Sequence, residues 1–173
     1  MKPQDILVVL KFQSLNDEAP DASAPWPQRL LAEETGLSLS EVNAACRRLE
    51  EVGLLTPGRR RIVRSALLEF LVHGLKYVFP VSMGRASRGM PTGYAADPLR
   101  ERFLGSADEP PPVWPDAKGA VRGIALRPLY KTVPGAARKD PRLYEYLALL
   151  DAIRGGRARE RDKAIEILKQ RLG

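Results

Sequence analysis

Three consecutive arginines, Arg59, Arg60 and Arg61, follow a Thr56-Pro57-Gly58 turn, and Arg64 comes close behind. Guanidinium groups at a loop tip are placed to lie along phosphates or to enter a minor groove, although the same run also suits a solubilising charged turn. Covalent chemistry finds far less support. The one histidine, His73, sits among apolar residues and is expected to be a partly buried packing residue. The one cysteine, Cys46, falls at a core position of a helix, whereas a redox sensor needs an exposed thiolate. One Cys and one His cannot build a Cys/His zinc site, so neither a metal nor another cofactor is expected. There is no Gly-rich phosphate loop ending in Lys-Ser/Thr and no GxSxG, and a Ser-His-Asp set would have to draw on His73. Acidic residues are numerous but form no paired arrangement readable from spacing. The chain is therefore expected to bind and not to catalyse.

Composition points the same way. At 173 residues the chain suffices for one ordinary domain, or for a small module plus a second helical region. Hydrophobic residues make up 44% and charged residues 28%, which argues for a packed core and against general disorder. Aromatics are only 6%, and the apolar positions are mostly Leu, Val, Ile and Ala, a mix that favours helices packed on helices. The net charge of +7 and the sequence pI near 9.8 attract polyanions, with DNA the commonest partner and an anionic membrane its competitor. With one Cys no intramolecular disulfide forms, which suits a reducing cytoplasm. The opening MKPQDILVVLKFQSL lacks the length and cleavage site of a signal peptide. No stretch approaches the roughly 20 apolar residues of a membrane helix. A soluble, cytoplasmic protein with no membrane partner is expected.

The elements that must hold these residues read mainly as helices. Residues 3–15 carry Ile6, Leu7, Val9, Leu10 and Leu15 behind Pro3, which suits a first helical turn. Residues 16–25 are polar and proline-bearing and read as a loop. A second helix over 26–35, with Trp26 stapling its start, stops at Gly36. A third starts near Ser40. Ser38 and Ser40 are good N-cap types, Glu41 stands three residues after Ser38, and Val42, Ala45, Cys46 and Leu49 repeat at the helical period. Gly53 ends it, Leu54-Leu55 begins an extended segment, and Ile62 and Val63 lead out of the arginine turn toward a fourth helix over 65–77. Residues 80–125 hold most of the prolines and many glycines and read as an extended arm anchored by Trp114, with mobile parts around 105–112. Asp140-Pro141 then opens a helix to about Arg154. After Gly155-Gly156 a last helix runs from about Arg157 to Leu172, with Ala158, Ile165, Leu168 and Leu172 on one stripe.

The string LLAEETGLSLSEVNAACRRLEEVGLL, residues 30–55, resembles the winged helix-turn-helix regulators, most closely their MarR-like branch. Ala32 is small where two helices cross, Gly36 allows the tight turn, and a short wing and a further helix follow in the family's order. The resemblance covers about residues 3–79. Composition and periodicity read the remainder as a proline/glycine-rich arm over 80–126 and a C-terminal helical region over 127–173, in a mainly α fold, and the resemblance itself implies a winged helix-turn-helix domain over 1–79. It also assigns roles. Ser38, Ser40, Glu41, Asn43, Ala44 and Arg47 fall on the exposed start and outer face of the recognition helix. Asn43 would pair with adenine, and Arg47 with guanine or a phosphate. Ser38 and Ser40 would bond phosphate oxygens, and Arg48 would reach the backbone. Glu41 either accepts from cytosine or, more simply, completes the cap. Arg59, Arg60 and Arg61 lie in the wing, with Arg64 after it, and all four would contact DNA.

The function implied is regulation of transcription by a homodimer on double-stranded DNA, a repressor more readily than an activator. One helix reads too few base pairs, and paired half-sites remedy that. Two alternatives stand beside it. One is an antitoxin or adaptor that binds a protein partner through its C-terminal half and autoregulates its operon. The other is a ligand-responsive regulator with a pocket between the winged helix and the C-terminal helices. From Arg154 to Arg171 there are seven basic residues against three acidic. That helix can pack its apolar stripe with its charges solvated, form a dimer or partner interface, or touch phosphates.

Overall fold

Pro3 lies in the first turn of α1 (Pro3–Glu18), where its missing N–H costs no hydrogen bond. This helix is buried around most of its circumference, from Ile6 through Phe12, as expected of a helix at the centre of a core. It runs three residues further than the apolar pattern suggests, because Asn16, Asp17 and Glu18 continue the turn. The computed structural model describes residues 1–20, 26–58, 61–103 and 109–173. The expected loop over 16–25 and the mobile stretch over 105–112 therefore lie partly outside the described residues, and so do Arg59 and Arg60.

The chain is mostly helical and packs as two compact units, Met1–Leu67 with Leu129–Tyr144, and Leu68–Pro128 with Glu145–Gly173. These units interleave the stretches 1–79, 80–126 and 127–173 into which the sequence reading divides the chain.

In the first unit, α2 (Gln28–Thr35) and α3 (Leu39–Glu51) pack on each other and on α1. The core is Ile6, Leu10, Leu31, Val42, Leu49, Leu55 and Leu67, all fully buried. Trp26 donates through Nε1 to Asn16 Oδ1 at 2.9 Å, which ties the entry of α2 to the end of α1. After α3 the wing is slight. Among the described residues it is a single antiparallel bridge, Leu55 to Ile62, framed by Thr56 N–H donating to Arg61 O and Val63 N–H to Leu54 O. Arg64, which follows the wing, opens α4 (Arg64–Glu69), because the chain returns to helix directly after Val63. That helix continues through a π turn, Phe70–Gly74, into α5 (Leu75–Val78). His73 is exposed, not a packing residue. It stands two positions from both Leu71 and Leu75, which are fully buried, and so points from the opposite side of the helix. The first unit is completed by α7 (Val133–Lys139), packed on α2, and by Asp140. As its position before a proline suggests, Asp140 caps α8 (Pro141–Gly155) by accepting from Leu143 N–H at 2.9 Å. It also holds the buried Lys11 ammonium at 2.7 Å and the Ser14 hydroxyl at 2.6 Å.

The second unit corrects the expectation of an extended arm. Residues 83–126 contain β1 (Met83–Pro91), β2 (Pro112–Pro115) and β3 (Val121–Leu126), together with the short helix α6 (Arg100–Phe103). β1 pairs antiparallel with both other strands, and β2 and β3 run parallel, so the three close on one another. The glycines that count against regular structure in sequence are what permit this closure. A Cβ at Gly123 would lie 2.0 Å from Pro111 O, and one at Gly89 would lie 2.0 Å from Trp114 O. Pro91, Pro112 and Pro115 fall at strand ends, where a missing donor is tolerated. Trp114 does anchor this region: it is fully buried and donates through Nε1 to Asp151 Oδ2 at 2.6 Å. Thr92 Oγ1 donates to the same carboxylate at 2.8 Å, and Arg154 to its other oxygen at 2.7 Å. In α9 (Ala158–Leu172) the buried stripe is Ala164, Leu168 and Leu172, while Ala158 is exposed.

Candidate nucleic-acid interface

The turn between α2 and α3 is set by local chemistry. Gly36 adopts φ 69°, the left-handed conformation that ends α2 and that side chains rarely adopt. Two residues later Ser38 caps α3. Its Oγ accepts from Glu41 N–H at 3.3 Å, and Glu41 Oε2 accepts from Ser38 N–H at 2.9 Å, the reciprocal capping box that the spacing predicts. With Ser38 as its cap, the helix begins at Leu39, one residue before the expected start near Ser40. The backbone and side-chain hydrogen bonds of Ser38 hold the Glu41 carboxyl below its ordinary range. The phenol of Tyr130 also donates to Glu41 Oε1 at 3.2 Å. Both carboxylate oxygens are thus engaged, in line with the simpler of the two roles considered for this residue.

Val42, Ala45, Cys46 and Leu49 form the buried side of α3. On the other side, Ser38, Ser40 and Arg47 are exposed, and Asn43 and Ala44 are half-buried. Ser38 Oγ and Ser40 Oγ lie 3.1 Å apart, so the two hydroxyls share the first turn of the helix. A helix N-terminus carries a positive partial charge, which favours an anion.

Arg48 departs from the expected set. Its Nε and Nη2 donate to the two oxygens of Asp5 at 2.9 and 2.6 Å, and the Asp5 side chain is fully buried. The Asp5 hydrogen bonds push the guanidinium pKa further up. Arg48 is turned toward α1 because a buried carboxylate there needs a cation, and its fork is not presented outward with Arg47. Arg61 and Arg64 are exposed, Arg61 in the turn and Arg64 at the start of α4. Arg59 and Arg60 lie outside the described residues.

One cation near this surface has no signal in the sequence. Lys131 is exposed, and its charge is close enough to Glu41 to help lower that carboxyl. It reaches the start of α3 from a segment 90 positions away, next to Tyr130, so only folding brings them together. Among the described residues no group of three His, Cys, Asp or Glu side chains is placed to hold a metal ion. No helix among them is long and apolar enough to cross a membrane.

Comparison with known proteins bears on this same segment. Residues 27–56 match a family described as winged helix-turn-helix DNA-binding. No curated protein and no solved structure matches the chain.

Proposed function

We propose that the chain is a sequence-specific transcriptional regulator of the MarR-like kind that acts by binding double-stranded DNA as a homodimer in the cytoplasm, without catalysis. The observation that carries this reading is α3 itself. It is a capped helix, sealed on one side by Val42, Ala45, Cys46 and Leu49, with Arg47 and Ser40 exposed on the other, in a stretch that matches a DNA-binding family. In this reading α3 enters the major groove. Arg47 pairs with guanine or a phosphate and Asn43 with adenine, while Ser38 and Ser40 hold phosphate oxygens at the helix N-terminus. Arg59, Arg60, Arg61 and Arg64 follow the phosphate backbone or the adjacent minor groove. Lys131 offsets the acid at Glu41, which would otherwise repel a phosphate, and Arg48 is left out of the contact.

Two half-sites supply the base pairs that one helix cannot read, and occupancy of a promoter suffices for repression. Selection of bound duplexes from a random library at physiological salt tests the proposal. A palindromic consensus is expected, with half-sites about 10 base pairs apart or a multiple of that. Recovery of no consensus would defeat the sequence-specific reading, and a single unrepeated half-site would defeat the dimer.

A further inference from the structure

The unit formed by Leu68–Pro128 and Glu145–Gly173 contains a cavity of about 410 Å³. Its walls come from Met83 of β1, Ile124 and Leu126 of β3, Pro112 of β2 and Ala152 of α8, with Tyr94 beside them. Gly155 at the end of α8, Gly156 after it and Gly93 also line the cavity. A site of this size with mostly apolar walls and a few converging polar groups is the usual form of a small-molecule pocket.

The polar groups have one prevailing sign. Three carboxylates, Glu109, Asp151 and Glu160, line the cavity with a single cation, Arg157. Two of them are already matched. Asp151 holds Arg154 at 2.7 Å, and Glu109 holds Arg157 at 2.8 Å on the exposed rim. Glu160 is not matched. It is buried, it accepts from the backbone N–H of Arg157 at 2.9 Å, and among the described residues no cation pairs with it. A buried carboxylate without a cation is costly, and a positively charged guest would relieve that cost. Tyr94 stands in the same field. Burial first, and then the charges of Glu160 and Glu109, push its phenol pKa up, and the Arg157 charge opposes them without cancelling the rise. A half-buried aromatic ring beside two carboxylates is a good surface for an organic cation.

We propose that this cavity binds a small organic monocation with an apolar body, its charge set against Glu160 and the Tyr94 ring and its body against Met83, Ile124, Leu126 and Pro112. The site lies within one unit and does not depend on DNA binding by α3, so either reading can fail without the other.

The test uses the full chain with labelled methionine and isoleucine methyl groups and three probes that share one body. These are 4-phenylbutyltrimethylammonium, its neutral isostere (5,5-dimethylhexyl)benzene, and 5-phenylpentanoate. The cation is expected to shift the Met83 and Ile124 methyl signals saturably. The neutral isostere should bind at least about tenfold more weakly, and the carboxylate should not bind. Glu160→Gln keeps the acceptor for the Arg157 amide, so the start of α9 stays capped. It should weaken the cation about tenfold and leave the neutral probe unchanged. No methyl shift with the cation, equal binding of cation and neutral isostere, or a folded Glu160→Gln variant that binds the cation as the parent does would each overturn the proposal. The probe comparison on the parent protein stands even if the variant does not fold.

Discussion

Arg47 and Arg48 are adjacent in sequence and face different environments. Arg47 is exposed on the outer side of α3, while Arg48 is held by a fully buried Asp5. Their alanine variants should therefore separate binding from stability. Arg47→Ala is expected to leave the fold intact and to relax preference at one base position by about 1–3 kcal/mol, read by titrating single-base variants of the selected site. Unaltered discrimination at every position would remove Arg47 from base readout. Arg48→Ala should leave base preference alone and lower the stability of the fold by on the order of 2 kcal/mol in urea denaturation, because Asp5 would remain buried without its cation. The Arg48 side chain is partly exposed, so the loss should fall below that of a wholly buried pair.

Asp140 gives a prediction in pH. Burial opposes its charged form, but hydrogen bonds from Lys11, Ser14 and the Leu143 amide, together with the Lys11 charge, bring its pKa below the ordinary 3.8. A carboxyl whose pKa is depressed by folding binds fewer protons in the folded chain than in the unfolded one. Its stabilisation is therefore present above the ordinary value and disappears as pH falls through the folded value. Denaturation midpoints should decline below pH 3.8, and Asp140→Asn should flatten that decline while lowering stability at neutral pH. An equally steep acid slope in the variant would mean that other carboxylates govern it.

Among the elements, the closed three-stranded sheet depends most on single backbone positions. At Gly123 a side chain would meet Pro111 O at 2.0 Å, and that obstacle is a backbone atom that cannot rotate away. Gly123→Ala must therefore part β3 from the segment entering β2 and disturb the strand that carries Trp114. A loss of about 3 kcal/mol or more is expected by chemical denaturation, in the range of severe overpacking. Gly135→Ala is the control: nothing lies within 4 Å of its added Cβ and α7 favours alanine, so it should be neutral or slightly stabilising. Equal stability of the two variants would mean that the strands close less tightly than this geometry requires. The wing shows the opposite limit. With one bridge between Leu55 and Ile62 it has little structure of its own among the described residues, so any contribution to DNA binding comes from its charge.

For the whole molecule the relevant quantity is the net charge of +7. A basic chain binds duplexes partly by counterion release, so affinity for any sequence should fall steeply with salt. Replacing Arg59, Arg60 and Arg61 together by alanine should weaken binding to all duplexes and reduce the slope of log affinity against log salt by up to about 2.7, at roughly 0.9 per lost phosphate contact. A triple variant with the parent's affinity at every salt concentration would exclude the arginine run from the interface.

What the sequence by itself determined is what short-range chemistry controls. The Ser38–Glu41 box, the left-handed turn at Gly36, the buried period Val42-Ala45-Cys46-Leu49 and the Asp140 cap each act over a few residues, so the helix-turn-helix and most helix starts were legible. Only the tertiary structure decided the rest, because the partners are far apart in the chain. The strand pairs Ser87 with Gly123 and Met90 with Trp114 exist only once the loops between them close. Glycines and prolines there look locally like breakers, although they permit the close approach. Arg48 finds Asp5 across 43 positions and Lys11 finds Asp140 across 129. No periodicity encodes such pairings: a buried charge takes the partner that packing brings to it.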